Sequence, residues 1–552
     1  MNTPGSFAAP SQGVFSPPRA YNEPVRDYEP GSATRKSLKN ELARQMSEVV
    51  EIPLIIGGEE IRTGKTRDVT MPHDHGHVIA RCHIGGAAEA ERAIEAAREA
   101  WRFWSDWPWE DRAAVLLRAA ELLREEWRDR LNASTMLGQS KTVYQAEIDA
   151  ACESIDFFTF NVSFARRLYG EQPISGPGVW NRMDHRPLEG FIYAISPFNF
   201  TAIGANLATT PALVGNTVVW KPSTTGVLGA YYTMRLLEAA GMPPGVINFI
   251  PGDAPRISDA VFASPDLAGI HFTGSTRTFQ HLWSRTAQNL ANYRSYPRIV
   301  GETGGKDFIL AHESADPQAV ATAIVRGGFE YQGQKCSAAS RAYIPASLWR
   351  EVVDRSVAMT EELRMGGPDD FRNFVCAVID RPSFDRIEGY LDWAAGSSGN
   401  KVLVGGGCDD STGYFVEPTL VGCDDAGDKL MCEEIFGPVV SLHRYDGSDW
   451  EGVLQTVDST SPYALTGAVF SDCRVAVAQA TSTLRHAAGN FYINDKPTGA
   501  VVGQQPFGGG RASGTNDKAG SILNLHRWVS PRTIKETFRP PSDYRYPFMG
   551  EE

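Results

Sequence analysis

Short apolar runs that alternate with helix-length segments dominate the chain from about residue 190. The runs lie at 191–195, 218–220, 246–250 and 268–272. Repeated strand–helix–strand units predict a parallel sheet with helices on both faces. Such sheets bind ligands outside the carboxyl ends of their strands, and each run here ends in a polar or glycine-containing turn. We therefore expect an α/β domain that binds a dinucleotide at these turns.

The length of 552 residues exceeds what one hydrophobic core supports, so further domains are expected. A second alternating block follows the first. A Gly- and Pro-rich connection cannot form a long helix, but it could form a small protruding sheet with the C-terminal tail. The predicted units are an extended, weakly ordered arm at 1–30, a dinucleotide-binding domain at 31–168 and 190–297, a second α/β domain at 298–490, and the small sheet and tail at 169–189 and 491–552.

Local patterns predict three elements of the first domain. Apolar runs on either side of Gly57 and Gly58 indicate a hairpin at 52–61. Apolar residues at helical spacing predict one helix near 90–104 and a second near 111–123.

Composition and charge exclude several classes of function. The net charge of -13, with basic residues spread among acids, argues against nucleic-acid binding. No apolar run is long enough to cross a bilayer. Eight scattered cysteines without a CxxC pair predict a reducing compartment. The N-terminus lacks the patterns of a secretory signal and of a transit peptide. The cytoplasm is therefore expected, or the mitochondrial matrix in a eukaryote.

His73, His75 and His77 alternate along the chain and would point to one face of a strand. A metal site needs further ligands and supporting groups, and the sequence shows none nearby. We therefore interpret the histidines as turn and strand residues of the first domain, and we expect no metal.

Cys336 stands in YQGQKCSAAS, among small and polar neighbours with Lys335 beside it. Most cysteines are small buried apolar residues. A reactive thiolate needs positive potential or helix-terminal N–H groups to lower its pKa, and this setting suits one. Cys336 is therefore a candidate nucleophile.

Two polar residues lie in further motifs. Glu302 in GETGGKDF could be a surface turn residue or a general base near a reacting centre. Asn199 in ISPFNF follows a strand end, where it could be structural or could donate to an oxyanion. Neither motif is decisive alone.

EEIFGPV at 433–439 and PFGGGRASGTNDKAG at 506–520 complete an ordered set of five motifs. Together they resemble the signatures of the aldehyde dehydrogenase superfamily. NEPVRDYEPGS, QAEIDAACESIDFF, GFIYAISPFNFTAIGANLA and RWVSPRTIKETF resemble its delta-1-pyrroline-5-carboxylate dehydrogenase branch. The resemblance covers nearly the whole chain from Asn22. No proline dehydrogenase domain precedes it, so the monofunctional form is expected.

The resemblance implies a Rossmann-like NAD-binding domain, an α/β catalytic domain and a small β oligomerisation flap. It implies NAD-dependent oxidation of L-glutamate γ-semialdehyde to L-glutamate in proline degradation, through a cysteine thioester. By similarity, Cys336 is the nucleophile, Asn199 and the Cys336 backbone N–H hold the oxyanion, and Glu302 activates water for thioester hydrolysis.

The resemblance also assigns a set of residues to the cofactor NAD. These are Ser196, Lys221, Gly274, Ser275, Glu434 and Phe436. Lys221 would bind the adenosine ribose, and the turn at Gly274 and Ser275 would meet the pyrophosphate at a helix N-terminus. Glu434 would bind the nicotinamide ribose, with Phe436 against the nicotinamide end.

A second set is assigned to the semialdehyde substrate. It comprises Glu153, Phe200, Ser337, Gly499, Ala500 and Phe507. The carboxylate would be held by Ser337 and the loop at 499–500, and the amino group by Glu153. The two phenylalanines would sandwich the aliphatic stem.

Three residues qualify the resemblance. Phe279 stands where most aldehyde dehydrogenases have glycine, and it supports the narrower branch. Thr224 falls where an acid often discriminates against a 2'-phosphate, and the absence of that acid leaves some NADP use open. Ala500 replaces a serine of animal relatives, which implies somewhat weaker substrate binding.

The resemblance leaves two alternative functions to weigh and raises two kinds of protein partner. A plain semialdehyde such as succinate semialdehyde could be the substrate, although the loop at 499–507 favours an amino acid. A non-catalytic member is the other alternative, and retention of Cys336, Glu302, Asn199 and Lys221 argues against it. The flap implies a homodimer or higher homo-oligomer, and the resemblance leaves open a transient contact with a proline dehydrogenase.

Overall fold

The computed structural model describes residues 13–551, so residues 1–12 of the predicted arm lie outside the described part. Two large sheets, each covered by helices, account for most of the chain. The strands are β1 (Val50–Ile52), β2 (Leu54–Ile56), β3 (Glu59–Ile61), β4 (Thr66–Met71), β5 (Asp74–His83), β6 (Val179–Pro187), β7 (Phe191–Ile195), β8 (Thr217–Lys221), β9 (Ile247–Phe249), β10 (Leu267–Thr273), β11 (Arg298–Glu302), β12 (Asp307–Ala311), β13 (Ala339–Pro345), β14 (Asn400–Val404), β15 (Cys408–Asp409), β16 (Phe415–Val416), β17 (Thr419–Cys423), β18 (Val439–Tyr445), β19 (Tyr463–Ala464), β20 (Thr466–Phe470), β21 (Asn490–Ile493), β22 (Gly510–Arg511) and β23 (Val529–Thr537).

The helices lie between these strands and at both ends of the chain. They are α1 (Ala33–Met46), α2 (Ala87–Trp104), α3 (Trp109–Arg124), α4 (Arg128–Gln139), α5 (Val143–Ala146), α6 (Ser154–Tyr169), α7 (Thr201–Leu213), α8 (Val227–Ala239), α9 (Ala254–Ala263), α10 (Thr276–Gln288), α11 (Pro317–Phe329), α12 (Ala346–Glu361), α13 (Arg381–Gly396), α14 (Lys429–Cys432), α15 (Trp450–Ser459), α16 (Arg474–Thr483) and α17 (Ile522–His526). A π-helix spans Glu147–Glu153, and 3-10 turns span Leu290–Asn292, Glu330–Gly333 and Pro547–Met549.

The first sheet has the strand order β11-β10-β7-β8-β9-β2-β3. Its first five strands are parallel, with Phe191 of β7 opposite Thr217 of β8. Helices α2 and α9 pack on one face, and α3, α7 and α8 pack on the other. Because both faces are covered, the strands are apolar along almost their whole length. The four strands predicted in this region are confirmed as β7 to β10.

The local predictions for the first domain are also confirmed. β2 and β3 form the expected hairpin, with Leu54 opposite Ile61. The two predicted helices are α2 and α3. In α2 the buried residues include Ala90, Ala93 and Ala97, which form the apolar face that the spacing indicated.

The strand at Arg298–Glu302 belongs to the first sheet, although the predicted boundary assigned it to the second domain. It pairs in parallel with β10, and Ile270 lies opposite Ile299. An apolar run has the same pattern in either sheet, so only the pairing identifies its partner. The second sheet therefore begins at β12, after the short link 303–306.

The second sheet has the order β14-β17-β18-β13-β12-β20-β21 and is parallel except for β14. Helices α11 and α12 cover one face, and α13, α15 and α16 cover the other. Its edge strand β21 continues to Ile493, three residues past the predicted end of the domain.

A two-stranded antiparallel sheet joins the connection before β7 to the C-terminal tail. β6 and β23 pair over nine residues, from Val179 opposite Thr537 to Pro187 opposite Val529. This is the small sheet that the Gly- and Pro-rich connection predicted, and we call it the flap.

Residues 13–30 form no helix or strand, as predicted for the arm. The arm is nevertheless anchored rather than weakly ordered from Asn22 onward, and Tyr28 is buried. Within residues 13–551, no helix is long and apolar enough to span a membrane.

The three alternating histidines contact different oxygens. His73 contacts the Ser140 hydroxyl, whereas His75 and His77 contact backbone carbonyls elsewhere. Among the described residues, no group of three or more His, Cys, Asp or Glu could hold a metal ion.

Candidate active site

Cys336 lies in the turn that enters β13 of the second sheet. The 3-10 turn before it contains two left-handed residues, Tyr331 and Gln332, with φ of 51° and 54°. Such conformations persist where surrounding contacts hold them, and they are common at functional sites. The Gln332 side chain provides such contacts, because its amide donates to the carbonyls of Ser140 and Ala377 at 2.9 and 2.8 Å.

Asn199 is brought to the same turn from the first sheet. Its side-chain Nδ2 donates to the carbonyl oxygen of Gln334 at 3.0 Å, two residues before Cys336. Asn199 is buried just before α7. The N-terminus of α7 is fixed by Asp149, whose carboxylate accepts from the backbone N–H groups of Thr201 and Ala202. The Asn199 amide therefore contacts the turn that bears Cys336 from a fixed helix start.

Glu302 ends β11, at the link between the two sheets. Its Oε2 atom is buried and has no hydrogen-bond partner among the described residues. Burial raises the pKa of Glu302 well above its ordinary value, and the charge of Lys518 partly opposes this shift. A Cβ at Gly508 would lie 2.9 Å from Glu302 Oε1, so the Gly508 backbone closely approaches this carboxylate.

The electrostatic setting of Cys336 differs from the predicted one. Its thiol pKa is raised well above the ordinary value by burial and by the carboxylates of Asp307, Glu302 and Glu434. Lys335 does not supply the expected positive potential, because its ammonium group is paired with Glu330 at 3.0 Å. The sequence neighbour is a cation, but the spatial neighbours are acids.

The link 303–306 passes very close to Cys336. A Cβ at Gly305 would collide with the Cys336 carbonyl oxygen, and a Cβ at Gly304 would collide with the Glu434 carboxylate. The Gly305 N–H donates to Glu434 Oε1 at 3.0 Å. The two glycines therefore allow Glu434 and Cys336 to converge on one stretch of backbone. Burial raises the pKa of Glu434 to about 7.

The strand ends of the first sheet bring the predicted cofactor residues together. The Ser196 N–H donates to the Lys221 carbonyl at 3.2 Å, across the ends of β7 and β8. The Gly274 N–H donates to the Glu302 carbonyl at 3.2 Å, and Ser275 caps the N-terminus of α10. The ends of these strands therefore bring residues that are far apart in sequence to the same edge of the first sheet.

Lys221 and Phe436, two further predicted cofactor residues, have defined surroundings. The Lys221 ammonium donates to the Pro222 carbonyl, and burial lowers its pKa to about 8. It therefore keeps donors for sugar hydroxyls. Phe436 adopts a left-handed φ of 55° and packs edge-on against Phe198, with ring centroids 5.9 Å apart.

The predicted substrate residues lie on three segments. Ser337 exchanges a hydrogen bond with the Thr498 hydroxyl at 2.8 Å, so the nucleophile turn contacts the loop that carries Gly499 and Ala500. Phe507 forms a backbone bridge with Ala519 and thereby ends this loop.

Glu153 and Phe200 lie at the other side of the predicted substrate site. Glu153 is the last residue of the π-helix, and burial raises its pKa well above the ordinary value. The ammonium group of Lys141 lies 4.0 Å from the centroid of the Phe200 ring and forms an ion pair with Asp149 at 2.6 Å.

Sequence reasoning missed Lys518 and Asp149, which support the predicted residues. Lys518 donates to the carbonyls of Gly489 and Gly508 and faces Glu302 electrostatically. Lys518 lies in the motif NDKAG and Asp149 lies in QAEIDAACESIDFF, but neither motif predicts these contacts.

The residues that qualified the resemblance have defined contacts. Phe279 is buried and stacks on Phe272 with ring centroids 5.6 Å apart. A Cβ at Gly301 would collide with the Phe279 ring, so the glycine makes room for it. Thr224 accepts a hydrogen bond from Arg67 at 3.3 Å.

Known proteins share this sequence and architecture. The profile of the aldehyde dehydrogenase family matches residues 60–534. The mitochondrial delta-1-pyrroline-5-carboxylate dehydrogenase of Dictyostelium discoideum is 51% identical, covering 96% of each chain. The human protein of that name is 49% identical, over 96% of this chain and 94% of its own. The Mycobacterium tuberculosis Delta-pyrroline-5-carboxylate dehydrogenase, in a crystal structure bound with NAD, is 53% identical with a TM-score of 0.95, covering 98% of this chain and 100% of that one.

Proposed function

The chain belongs to the aldehyde dehydrogenase family, and we propose that it oxidises L-glutamate γ-semialdehyde to L-glutamate in proline degradation. The semialdehyde is the ring-opened form of 1-pyrroline-5-carboxylate. One observation carries the reaction type: Asn199 donates to the turn that bears Cys336, at the junction where Glu302 links the two sheets. The named relatives, which match this chain end to end, support the substrate.

In this proposal the Cys336 thiol releases its proton to solvent, and the resulting thiolate attacks the aldehyde carbon. The carbonyl oxygen becomes negative and needs hydrogen-bond donors arranged in advance. A side-chain amide carries two N–H donors, so Asn199 can bind both the Gln334 carbonyl and this oxyanion. The backbone N–H of Cys336 would be the second donor.

NAD, when bound, supplies the nicotinamide carbon that accepts the hydride from the tetrahedral adduct. The residues proposed to hold it are Ser196, Lys221, Gly274, Ser275, Glu434 and Phe436. Ser196 and Lys221 lie at strand ends of the first sheet, and Gly274 and Ser275 lie at the start of α10. Glu434 and Phe436 come from the segment between α14 and β18, so the set as a whole suits a pyrophosphate and two ribose groups. Collapse of the adduct leaves a thioester on Cys336.

Glu302 is proposed to take the proton from the water that hydrolyses the thioester. Its pKa is raised by burial, which moves a carboxylate toward the range useful for a base near neutral pH. Hydrolysis releases the acid and restores the thiol.

The substrate groups proposed for recognition are its carboxylate, its amine and its stem. Ser337, Gly499 and Ala500 would bind the carboxylate, and Glu153 would bind the amine. The rings of Phe200 and Phe507 would enclose the stem. Ala500 offers no side-chain donor, so backbone N–H groups must bind in its place.

The test is NADH formation by the purified protein with pyrroline-5-carboxylate. Succinate semialdehyde, NADP and a Cys336→Ala variant are run beside it. We expect NAD-preferring turnover of pyrroline-5-carboxylate that disappears in Cys336→Ala. Preference for succinate semialdehyde would reject the proposed substrate but keep the reaction. A folded protein that is silent with every aldehyde would reject the enzyme function.

The assembly and compartment are proposed on separate grounds. The flap exposes a two-stranded ladder that includes Trp180, and we propose that it pairs protomers into a homodimer or higher homo-oligomer. All eight cysteines are free, which supports the cytoplasm or the mitochondrial matrix. Analytical ultracentrifugation alone and with a proline dehydrogenase would test both self-association and the proposed transient contact.

A further inference from the structure

Asn22 joins three parts of the chain that are far apart in sequence. It opens the segment NEPVRDYEPGS, to which the chemistry above assigns no role. Its Nδ2 donates to Asp156 Oδ2 and to the Val502 carbonyl, each at 2.8 Å. Its Oδ1 accepts from Gln504 Nε2, also at 2.8 Å. All the hydrogen-bonding atoms of one side chain therefore bridge the arm, α6 and the loop after Ala500.

The loop at 499–505 needs such contacts, because it forms no strand. Gly499 adopts a left-handed φ of 98°. Val502 is buried against Phe157 and Ala202, and the N–H groups of Gln504 and Gln505 both donate to the Val501 carbonyl. Side chains supply further hydrogen bonds. Val501 N–H donates to the Gln505 side chain, whereas Val502 and Gln504 bind Asn22. The arm thus fixes the loop proposed to bind the substrate carboxylate.

The same arm holds the π-helix Glu147–Glu153 at its other end. The Arg26 N–H donates to Glu147 Oε1 at 2.9 Å, and the Tyr28 hydroxyl donates to Glu147 Oε2 at 2.8 Å. Glu147 is fully buried, and Arg128 pairs with it and with Glu23 of the arm. A buried charge with this many partners is positionally well defined. The π-helix that ends in Glu153 is therefore anchored to the arm.

Between these two anchors, the Glu23 N–H donates to Asp156 Oδ1 at 2.7 Å. Asp156 lies in α6, three residues after Glu153. Its two carboxylate oxygens are thus both bound by consecutive residues of the arm. The arm contacts the amine side and the carboxylate side of the proposed substrate site through four of its residues, Asn22, Glu23, Arg26 and Tyr28.

We propose that the segment Asn22–Tyr28 is a strap that sets the separation between the two charged ends of the amino-acid substrate site. Asn22 is then a positioning residue for substrate specificity, and it touches neither substrate nor cofactor. This inference rests on the proposed function. Because the loop and Glu153 bind opposite ends of one small molecule, a shift of either weakens recognition of that molecule. An aldehyde without amine or carboxylate does not depend on the separation.

The experiment compares Asn22→Ala with the wild type on two substrates, pyrroline-5-carboxylate and propanal. The strap predicts a KM for pyrroline-5-carboxylate raised about tenfold with little change in kcat, the size expected when one or two positioning hydrogen bonds are lost. The inhibition constant of L-glutamate should rise in parallel. The value of kcat/KM for propanal should stay within about twofold, since the reacting groups are untouched.

A matched control and a coupling test make the result specific. Asn400 is also a partly buried asparagine bound to a carboxylate, that of Asp428, but it lies in the second domain. Asn400→Ala should leave both substrates unaffected. Gln504→Ala should resemble Asn22→Ala, and the double variant should lose less than the sum, because the two residues share one contact. Hydrogen exchange of the amides in 501–505 should accelerate in Asn22→Ala.

The outcomes distinguish failure of the strap from failure of the proposed function. Equal losses on both aldehydes, or unchanged kinetics and unchanged exchange in Asn22→Ala, would overturn the strap while leaving the proposed function intact. A wild-type protein that oxidises propanal but not pyrroline-5-carboxylate would overturn the proposed substrate, and the strap with it.

Discussion

Cys336, the proposed nucleophile, is surrounded by acids. Burial and the carboxylates of Asp307, Glu302 and Glu434 all raise its pKa, so the thiol form is favoured when no cationic ligand is present. Glu302 is itself protonated more readily than an ordinary glutamate. The balance of charge among a few side chains therefore sets the pH range in which attack and hydrolysis proceed.

The first prediction concerns the pH dependence of thioester hydrolysis. Glu302 acts as a base only when ionised, and its raised pKa means that hydrolysis falls as pH decreases through a range where an ordinary glutamate is still charged. Lys518→Met removes the opposing positive charge, so the acid limb should shift to higher pH. Single-turnover hydrolysis measured from pH 5 to 9 gives the limb directly.

The variant Asp517→Asn should shift the acid limb in the opposite direction to Lys518→Met. Asp517 raises the pKa of Glu302, so its neutralisation should move the acid limb to lower pH. Shifts of both variants in the same direction would contradict electrostatic control by these two residues.

The second prediction concerns the choice between NAD and NADP. Thr224 and Arg67 form a hydrogen bond at an exposed edge, and neither side chain carries a negative charge that would repel a 2'-phosphate. We expect measurable NADP turnover in the wild type. Thr224→Glu should lower kcat/KM for NADP about tenfold or more while leaving NAD nearly unchanged, because like charges in contact are unfavourable.

Arg67→Ala is the companion variant for the cofactor measurement. It should weaken NADP use and spare NAD, since it removes a positive charge near the 2' position. Steady-state kinetics with both cofactors at fixed aldehyde provide the comparison. Equal loss with both cofactors would show that this edge does not discriminate between them.

The π-helix Glu147–Glu153 is the element on which several parts of the site depend. It presents Glu147 to the arm, Asp149 to the start of α7 and Glu153 to the substrate side. A π-helix widens the turn and is often found at functional sites. Here it allows three acids within seven residues to serve three different neighbours.

The third prediction concerns Asp149, whose carboxylate makes two sets of contacts. It pairs with the fully buried Lys141 and accepts from two N–H groups at the start of α7. Asp149→Ala would leave a buried ammonium and two amides unpaired, so we expect destabilisation of about 3–5 kcal/mol. Lys141→Met should lose less, because the Asp149 carboxylate keeps its two backbone donors. Denaturant unfolding followed by tryptophan fluorescence ranks the two variants, and a reversed order would contradict the capping role.

At the scale of the whole molecule, the site belongs to neither sheet alone. Lys221 and Ser196 end strands of the first sheet, Cys336 enters a strand of the second, and Glu302 lies at the link. A dinucleotide that reaches from the strand ends to Cys336 would bind the folded arrangement and not the unfolded chain. Its binding should therefore stabilise both domains together.

The fourth prediction follows from this linkage. Added NAD should raise the melting temperature, with a stabilisation of about 2.7 kcal/mol at a concentration one hundred times Kd. Lys221→Ala should show a smaller rise at the same NAD concentration, because the buried ammonium would no longer bind the ribose. Differential scanning fluorimetry provides the measurement.

Two controls accompany the melting experiment. Cys336→Ala should keep the full rise, since the thiol is not needed for binding. Lys36→Ala removes an exposed lysine of α1 and should also leave the rise unchanged. An equal rise in Lys221→Ala would show that Lys221 does not hold the cofactor.

Local patterns in the sequence sufficed for the strands β7 to β10, the hairpin of β2 and β3, and helices α2 and α3. Each of these elements follows from the spacing of apolar residues over a few turns or a single strand. The chemical candidates Cys336, Glu302 and Asn199 were also identified in advance, because their motifs occur in a characteristic order.

Tertiary structure alone decided which elements and charges meet. The strand at Arg298–Glu302 could have joined either sheet, and only its pairing with β10 assigned it. The electrostatic setting of Cys336 depends on carboxylates from other segments, so the charge of the adjacent Lys335 did not predict it. The anchoring of the arm by Glu147 and Asp156 was invisible for the same reason. Periodicity acts between neighbours in sequence, whereas pairing, burial and charge act between neighbours in space.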